Sequence, residues 1–106
     1  MTNIFDLKEK VYENYENRSK NVFFENEQFK TRIIGLKPGQ MIPECDMKSF
    51  VIFYVLGGTV EITKNHETAR LNEGQLLITE PAIISMKTEA GAKLLGIQIS
   101  KITGVV

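Results

Sequence analysis

From Val22 onward the chain is cut into short apolar or alternating segments by turn-forming residues, about every eight to twelve positions. Pro38-Gly39, Gly57-Gly58, Asn65-His66, Asn72-Glu73-Gly74, Glu80-Pro81 and Glu89-Ala90-Gly91 stand between segments such as Phe29–Leu36, Thr59–Thr63, Leu76–Ile78 and Leu94–Ile99. Pro38-Gly39 is the strongest of these signals, because proline pre-sets the first central position of a turn and glycine accepts positive φ at the second. About eight to ten short strands with no second helix to cross over predict an antiparallel sandwich or barrel.

The segment Phe50–Leu56 is apolar at all seven positions and is bounded by Gly57-Gly58. A strand with one wet face alternates, so continuous apolarity predicts cover on both faces. The outward side needs a partner, either the N-terminal segment with Phe23 and Phe24 or the same face of a second subunit. A homodimer is the expectation, and it suits a chain of 106 residues, since a domain of roughly 100 residues buries only some 60–70% of its unfolded surface.

Near the N-terminus the pattern changes. Ile4, Leu7, Val11, Tyr12 and Tyr15 recur at three- and four-residue intervals from Asn3 to about Asn17, which predicts a short amphipathic helix capped by Asn3 with Asp6 in its first turn. Its polar face mixes acids and bases, so it reads as packing on the body of the domain rather than as a membrane anchor.

Thirteen basic and thirteen acidic residues cancel to a formal charge of zero, leaving no long-range field for nucleic acid or an anionic membrane. The apolar run is far too short to span a bilayer. One cysteine forms no internal disulfide and no leader pattern is evident, so a cytoplasmic location is expected. A helix-turn-helix beside the barrel would not fit in this length.

Two longer stretches carry a resemblance. Gly39-Gln-Met-Ile-Pro43-Glu-Cys45-Asp-Met47-Lys-Ser-Phe-Val51, running on to Gly58, is similar to the first motif of the cupin superfamily. Gly74-Gln-Leu-Leu-Ile-Thr-Glu80-Pro-Ala82-Ile-Ile-Ser85 has the spacing of the second. The resemblance runs from about Phe24 to Ile99 and implies an all-β fold, the cupin double-stranded β-helix or jelly roll, over residues 21–106, with residues 1–20 as a helical arm.

In metal-binding cupins two histidines, a glutamate and a third histidine hold a divalent ion. Those positions correspond here to Cys45, Met47, Val51 and Ser85, with Ile84 or Met86 as neighbours should the second motif shift by one residue. Valine has no lone pair, methionine is a weak soft donor and a serine hydroxyl is a poor ligand. Cys45 alone falls short of the three protein ligands of an open catalytic site, so no metal and no cofactor are expected. His66, the only histidine, lies in the turn between Ile62 and Leu71, far in sequence from any partner.

The reading that follows is a binding, regulatory or structural module whose barrel mouth, lined by Met41, Cys45, Met47, Val51 and Ser85, takes a small apolar molecule or is simply filled. A second reading is a metal-independent enzyme of the isomerase or epimerase kind, drawing on Glu44, Asp46, Glu80, Glu89 or Cys45. Strand alternation sets Glu44 and Asp46 opposite Cys45 and Met47, and a one-residue shift near Pro43 would turn both carboxylates inward. A third is a Cu(I) site at Cys45 and Met47 with Met41 or Met86.

Overall fold

The computed structural model describes residues 3–100. A 3₁₀ helix, Tyr15–Asn21, precedes eight strands: β1 (Val22–Glu25), β2 (Phe29–Leu36), β3 (Met41–Met47), β4 (Val51–Lys64), β5 (Glu67–Asn72), β6 (Leu76–Thr79), β7 (Ala82–Lys87) and β8 (Ala92–Ile99). All pairings are antiparallel, and the main path runs β1-β2-β8-β4-β7-β3. The chain is a curled jelly roll.

Strand β4 organises the molecule. Its first half pairs with β8 and β6, and its second half pairs with β5 and β7, so one strand passes from one sheet to the other. The crossing falls at Gly57-Gly58, where the register against β8 slips by a bulge between Val55 and Gly57. The sequence suggested that the strand ends at these glycines; instead they bend it. Gly58 sits at φ +78° and a Cβ there would run into the Gly91 carbonyl, so conformation and space both require glycine.

The turns predicted at Pro38-Gly39 and Asn65-His66 form. Gln40 N–H donates to the Lys37 carbonyl at 3.0 Å across Pro38-Gly39, with Gly39 at φ +80°, which makes a type II turn. Asn65 and His66 both have positive φ (47° and 73°), the mirror-image turn that matches strand twist, and they close the β4–β5 hairpin. Asn65 also docks that hairpin on β7: its N–H donates to the Ile83 carbonyl and its Oδ1 accepts from the Ile83 N–H, both at 3.0 Å.

Inside the roll, Val51, Val55, Val60, Ile62 and Leu94 are almost completely buried, each side chain contributing roughly 1.5–3 kcal/mol of transfer free energy. The apolar run therefore alternates after all: Val51, Phe53 and Val55 face the core, while Ile52, Tyr54 and Leu56 are half-buried and Phe50 is 52% exposed. Across the same outer face Ile52 pairs with Ile78 and Tyr54 with Leu76, and Leu76 and Ile78 are themselves about half exposed or more.

The N-terminal helix predicted over Asn3–Asn17 does not form. Residues 3–14 contain only one turn, at Leu7–Glu9, and helical structure begins at Tyr15, where the Asn14 side chain accepts from the Glu16 N–H. The arm's backbone groups find partners on the barrel instead. Buried Asn21 clamps Glu13, accepting from its N–H at 2.7 Å and donating to its carbonyl at 2.8 Å, and Lys93 Nζ donates to the Leu7 carbonyl at 2.7 Å. Tyr12 lies over Gly35 of β2, with Lys93 Nζ 5.1 Å from its ring centroid, and Phe5 packs edge-on against Phe23 at 4.8 Å. The arm thus lies on the body of the domain, over β2 and β8 rather than over β4, while Ile4 and Val11 stay exposed. Among the described residues no helix is long and apolar enough to cross a membrane.

Candidate functional site

Between the sheets lies a cavity of about 410 Å³, within the range of small-molecule sites. Its wall is built strand by strand. β3 contributes Ile42, Cys45 and Met47; β4 contributes Val51 and Phe53; β7 contributes Ile84 and Met86. β2 and β8 supply Arg32, Ile34, Gly96 and Gln98, and the 3₁₀ helix brings Tyr15 and Arg18 to the same space.

One irregularity decides which residues of β3 face inward. Ile42 pairs with Met86 and Cys45 with Ile84, so β3 uses one residue more than β7 over this interval, at Pro43-Glu44. Proline has no N–H to lose from the ladder, which makes it suited to a bulge. The extra residue flips the alternation: Ile42, Cys45 and Met47 share the face of buried Met86, Ile84 and Ala82, while Asp46 pairs with exposed Ile83. Met41 lies on the other side of the bulge, opposite Lys87, and is 58% exposed. It lies outside this cavity, because a single parity change separates it from Cys45.

The same bulge answers the question of the carboxylates. Glu44 and Asp46 are both exposed, and Asp46 Oδ2 accepts from Lys48 Nζ at 2.7 Å on the rim. That hydrogen bond raises the Lys48 pKa above its ordinary value, Asp46's charge adding to it. Glu80 is likewise exposed, and its carboxylate accepts from Lys64 Nζ at 2.6 Å, which lowers its pKa. Glu89 is on the surface. No two of these acids converge on the interior, so a carboxylate pair for proton transfer is not assembled.

Ser85 alternates with Ile84 and Met86 and pairs with Thr63, whose hydroxyl meets that of Thr68 at 2.8 Å in an exposed position. It borders the cavity, but the inward positions of β7 belong to Ile84 and Met86. His66 is exposed in its hairpin turn. Among the described residues no three His, Cys, Asp or Glu side chains gather where they could hold a metal ion. The set at the cupin ligand positions that lines the cavity is Cys45, exposed at its mouth, half-buried Met47, and buried Val51 and Ile84: one thiol, one thioether and two hydrocarbons. This set does not fit the hard or borderline divalent ions such sites ordinarily hold.

Sequence reasoning missed Arg32. It pairs with Gly96 across β2 and β8, where a Cβ on Gly96 would make an ordinary contact with Arg32 Cγ at 3.6 Å and a tight one with Ile34 Cδ1 at 3.0 Å. Burial lowers the pKa of the guanidinium, the like charge of Arg18 lowers it further, and Glu25 partly opposes this. The available signal was the end of β2, Ile33-Ile34-Gly35-Leu36, whose unbroken apolarity means that both faces of the strand are covered.

No family model and no curated protein matches the chain. Solved structures do. The TT1209 protein of Thermus thermophilus superposes with a TM-score of 0.80 at 25% identity, over 93% of this chain and 98% of that one. The cupin domain of Cnp3 from Schizosaccharomyces pombe gives 0.70 at 21%, over 76% of this chain; the match spans 62% of that chain, less than two thirds of its length. Salicylate 1,2-dioxygenase of Pseudoaminobacter salicylatoxidans gives 0.65 at 18%, over 68% of this chain and 20% of the enzyme. A barrel shared this widely sets architecture and not activity. With the strand order, the bend in β4 and these superpositions together, the chain has the small cupin fold.

Proposed function

We propose that this chain is a small-molecule-binding module in which the cupin interior serves as an apolar cavity without resident metal. The observation that carries the reading is the wall itself: Ile42, Met47, Val51, Phe53, Ile84 and Met86 line about 410 Å³ of space, and Met47 and Val51 among them stand at positions where a metal-binding relative would present imidazole and carboxylate. Such a wall gains free energy from an apolar guest in proportion to the area it covers, and methionine side chains adapt to its shape. Homodimerisation through the half-exposed face of Phe50, Leu76 and Ile78, and a cytoplasmic setting for the free thiol of Cys45, complete the proposal.

A direct test is fluorescence titration with 1-naphthalenemethanol, a neutral aromatic probe. The proposal expects saturable binding at one site per chain, lost in Met47→Trp, which fills the cavity. Absence of saturable binding, or equal binding by the filled variant, would contradict it.

A further inference from the structure

We propose that the cavity is built for an amphipathic organic anion, a carboxylate on an apolar body, with Arg32 as the residue that reads the carboxylate. The inference rests on the binding-module reading above and adds the chemical class of the guest.

The charges around the cavity are uneven. Among the described residues three cations, Arg18, Arg32 and Lys48, border it, against a single acid, Asp46, and Asp46 is already engaged by Lys48 at 2.7 Å. That leaves two guanidinium groups. Neither has a carboxylate within 4.0 Å among the described residues, and Glu25, the acid that acts on Arg32 through space, is 3.7 Å from Lys30. A half-buried arginine on the inner face of a strand, unpaired and with a second arginine near enough to disfavour its charge, is an arrangement that stability alone does not favour. An anion arriving in the cavity would offset both penalties by its attraction to the two guanidinium groups.

The geometry selects the kind of anion. Arg32 occupies the inward position of β2 between Gly96 across the strand and Ile34 two residues on. Its planar fork matches the two oxygens of one carboxylate. Gln98, on the same inward side as Val51 across the β4–β8 pair, adds a side-chain amide to the wall; its Nε2 donates to Ser49 Oγ at 3.2 Å. From this polar end the cavity continues into Val51, Phe53, Ile84 and Met86. A phosphate, with about two negative charges, costs more to desolvate against this apolar wall than a carboxylate with one.

The test compares three fluorescent probes that share one apolar body: 1-naphthoate, 1-naphthalenemethanol and 1-naphthyl phosphate, titrated into the intact chain and into Arg32→Gln, Arg32→Lys and Arg18→Gln. We expect 1-naphthoate to bind about tenfold more tightly than the alcohol, equivalent to ~1.4 kcal/mol. Arg32→Gln should erase that preference while alcohol binding stays within about twofold, which also shows that the variant is folded. Arg32→Lys should keep part of the preference, and Arg18→Gln should weaken it and reduce its salt dependence. Equal binding of acid and alcohol, or a preference that survives Arg32→Gln, would overturn the assignment of Arg32 while leaving the apolar cavity standing. Tighter binding of the phosphate than of the carboxylate would overturn the choice of anion. Binding of none of the three would overturn the cavity reading and this inference together.

Discussion

Replacing Gly58 by alanine should destabilise the protein far more than the same change at Gly74, although both glycines have positive φ, +78° and +85°. The conformational penalty is common to the two: an L-residue in the left-handed region costs about 1–2 kcal/mol. The steric penalty is not. A Cβ on Gly74 meets nothing within 4 Å, whereas one on Gly58 meets the Gly91 carbonyl and approaches Ala92 Cα at 2.9 Å. Backbone is on both sides of this contact, so relief means moving the start of β8 away from β4, a displacement in a packed region that costs about 1–3 kcal/mol. Gly58→Ala should therefore lose about 2–5 kcal/mol, a large part of the roughly 5–15 kcal/mol that holds a domain folded. Urea unfolding followed by circular dichroism reads the difference: with a slope of about 1–3 kcal/mol/M, the Gly58→Ala midpoint should fall well below that of Gly74→Ala. Equal midpoints would refute the claim that the bend of β4 depends on close backbone approach at this residue.

Three further outcomes are expected. Asn21→Ala leaves the Glu13 N–H and carbonyl without their buried partner, worth about 1–3 kcal/mol, so limited proteolysis should cut faster within residues 3–14 while the barrel core resists. The Glu80 carboxylate has its pKa lowered by the Lys64 hydrogen bond, so its contribution to stability is present above the ordinary value of 4.5 and is lost as pH falls through the depressed folded value; Glu80→Gln should differ from the parent near neutrality and converge with it in acid, as read by melting temperature against pH. Light scattering in the micromolar range should give twice the 12.0 kDa chain mass, and Ile78→Lys on the outer face should return the monomer mass.

Most of the barrel was legible because turn chemistry leaves a mark in the sequence. Pro38-Gly39 and Asn65-His66 form turns for the backbone reasons that predicted them. Gly57-Gly58 was harder, since a bulge that bends a strand and a turn that ends one both call on glycine's freedom, and only the pairing of both halves of β4 separates them. The arm shows a different limit: Ile4, Leu7, Val11 and Tyr12 have helical spacing, yet Asn21, past the end of that pattern, and Lys93, distant in sequence, partner its backbone where a short helix would be marginal.

In the site, motif spacing points to Cys45, Met47 and Val51, and the structure places all three along the cavity. Ser85 also borders it, although the fully inward positions of β7 are its neighbours Ile84 and Met86, whereas Met41 lies outside it because the Pro43-Glu44 bulge reverses the alternation. Arg32 escapes notice because a charged residue in an alternating strand reads as solvent-facing. It lies opposite Gly96, distant in sequence, and on the same face of β2 as buried Ile34.

The claim on which the functional account turns is that the inner wall has exchanged ion ligation for apolar contact. Equilibrium dialysis of the purified chain against Mn, Fe, Ni, Zn and reduced Cu, with metal content read by elemental mass spectrometry, tests it most directly. The account predicts well below one equivalent of each metal, unchanged by Cys45→Ala and Met47→Ala. One equivalent of any ion retained by the parent and lost in those variants would contradict it, and copper alone behaving so would place a soft-metal site at the two sulfurs.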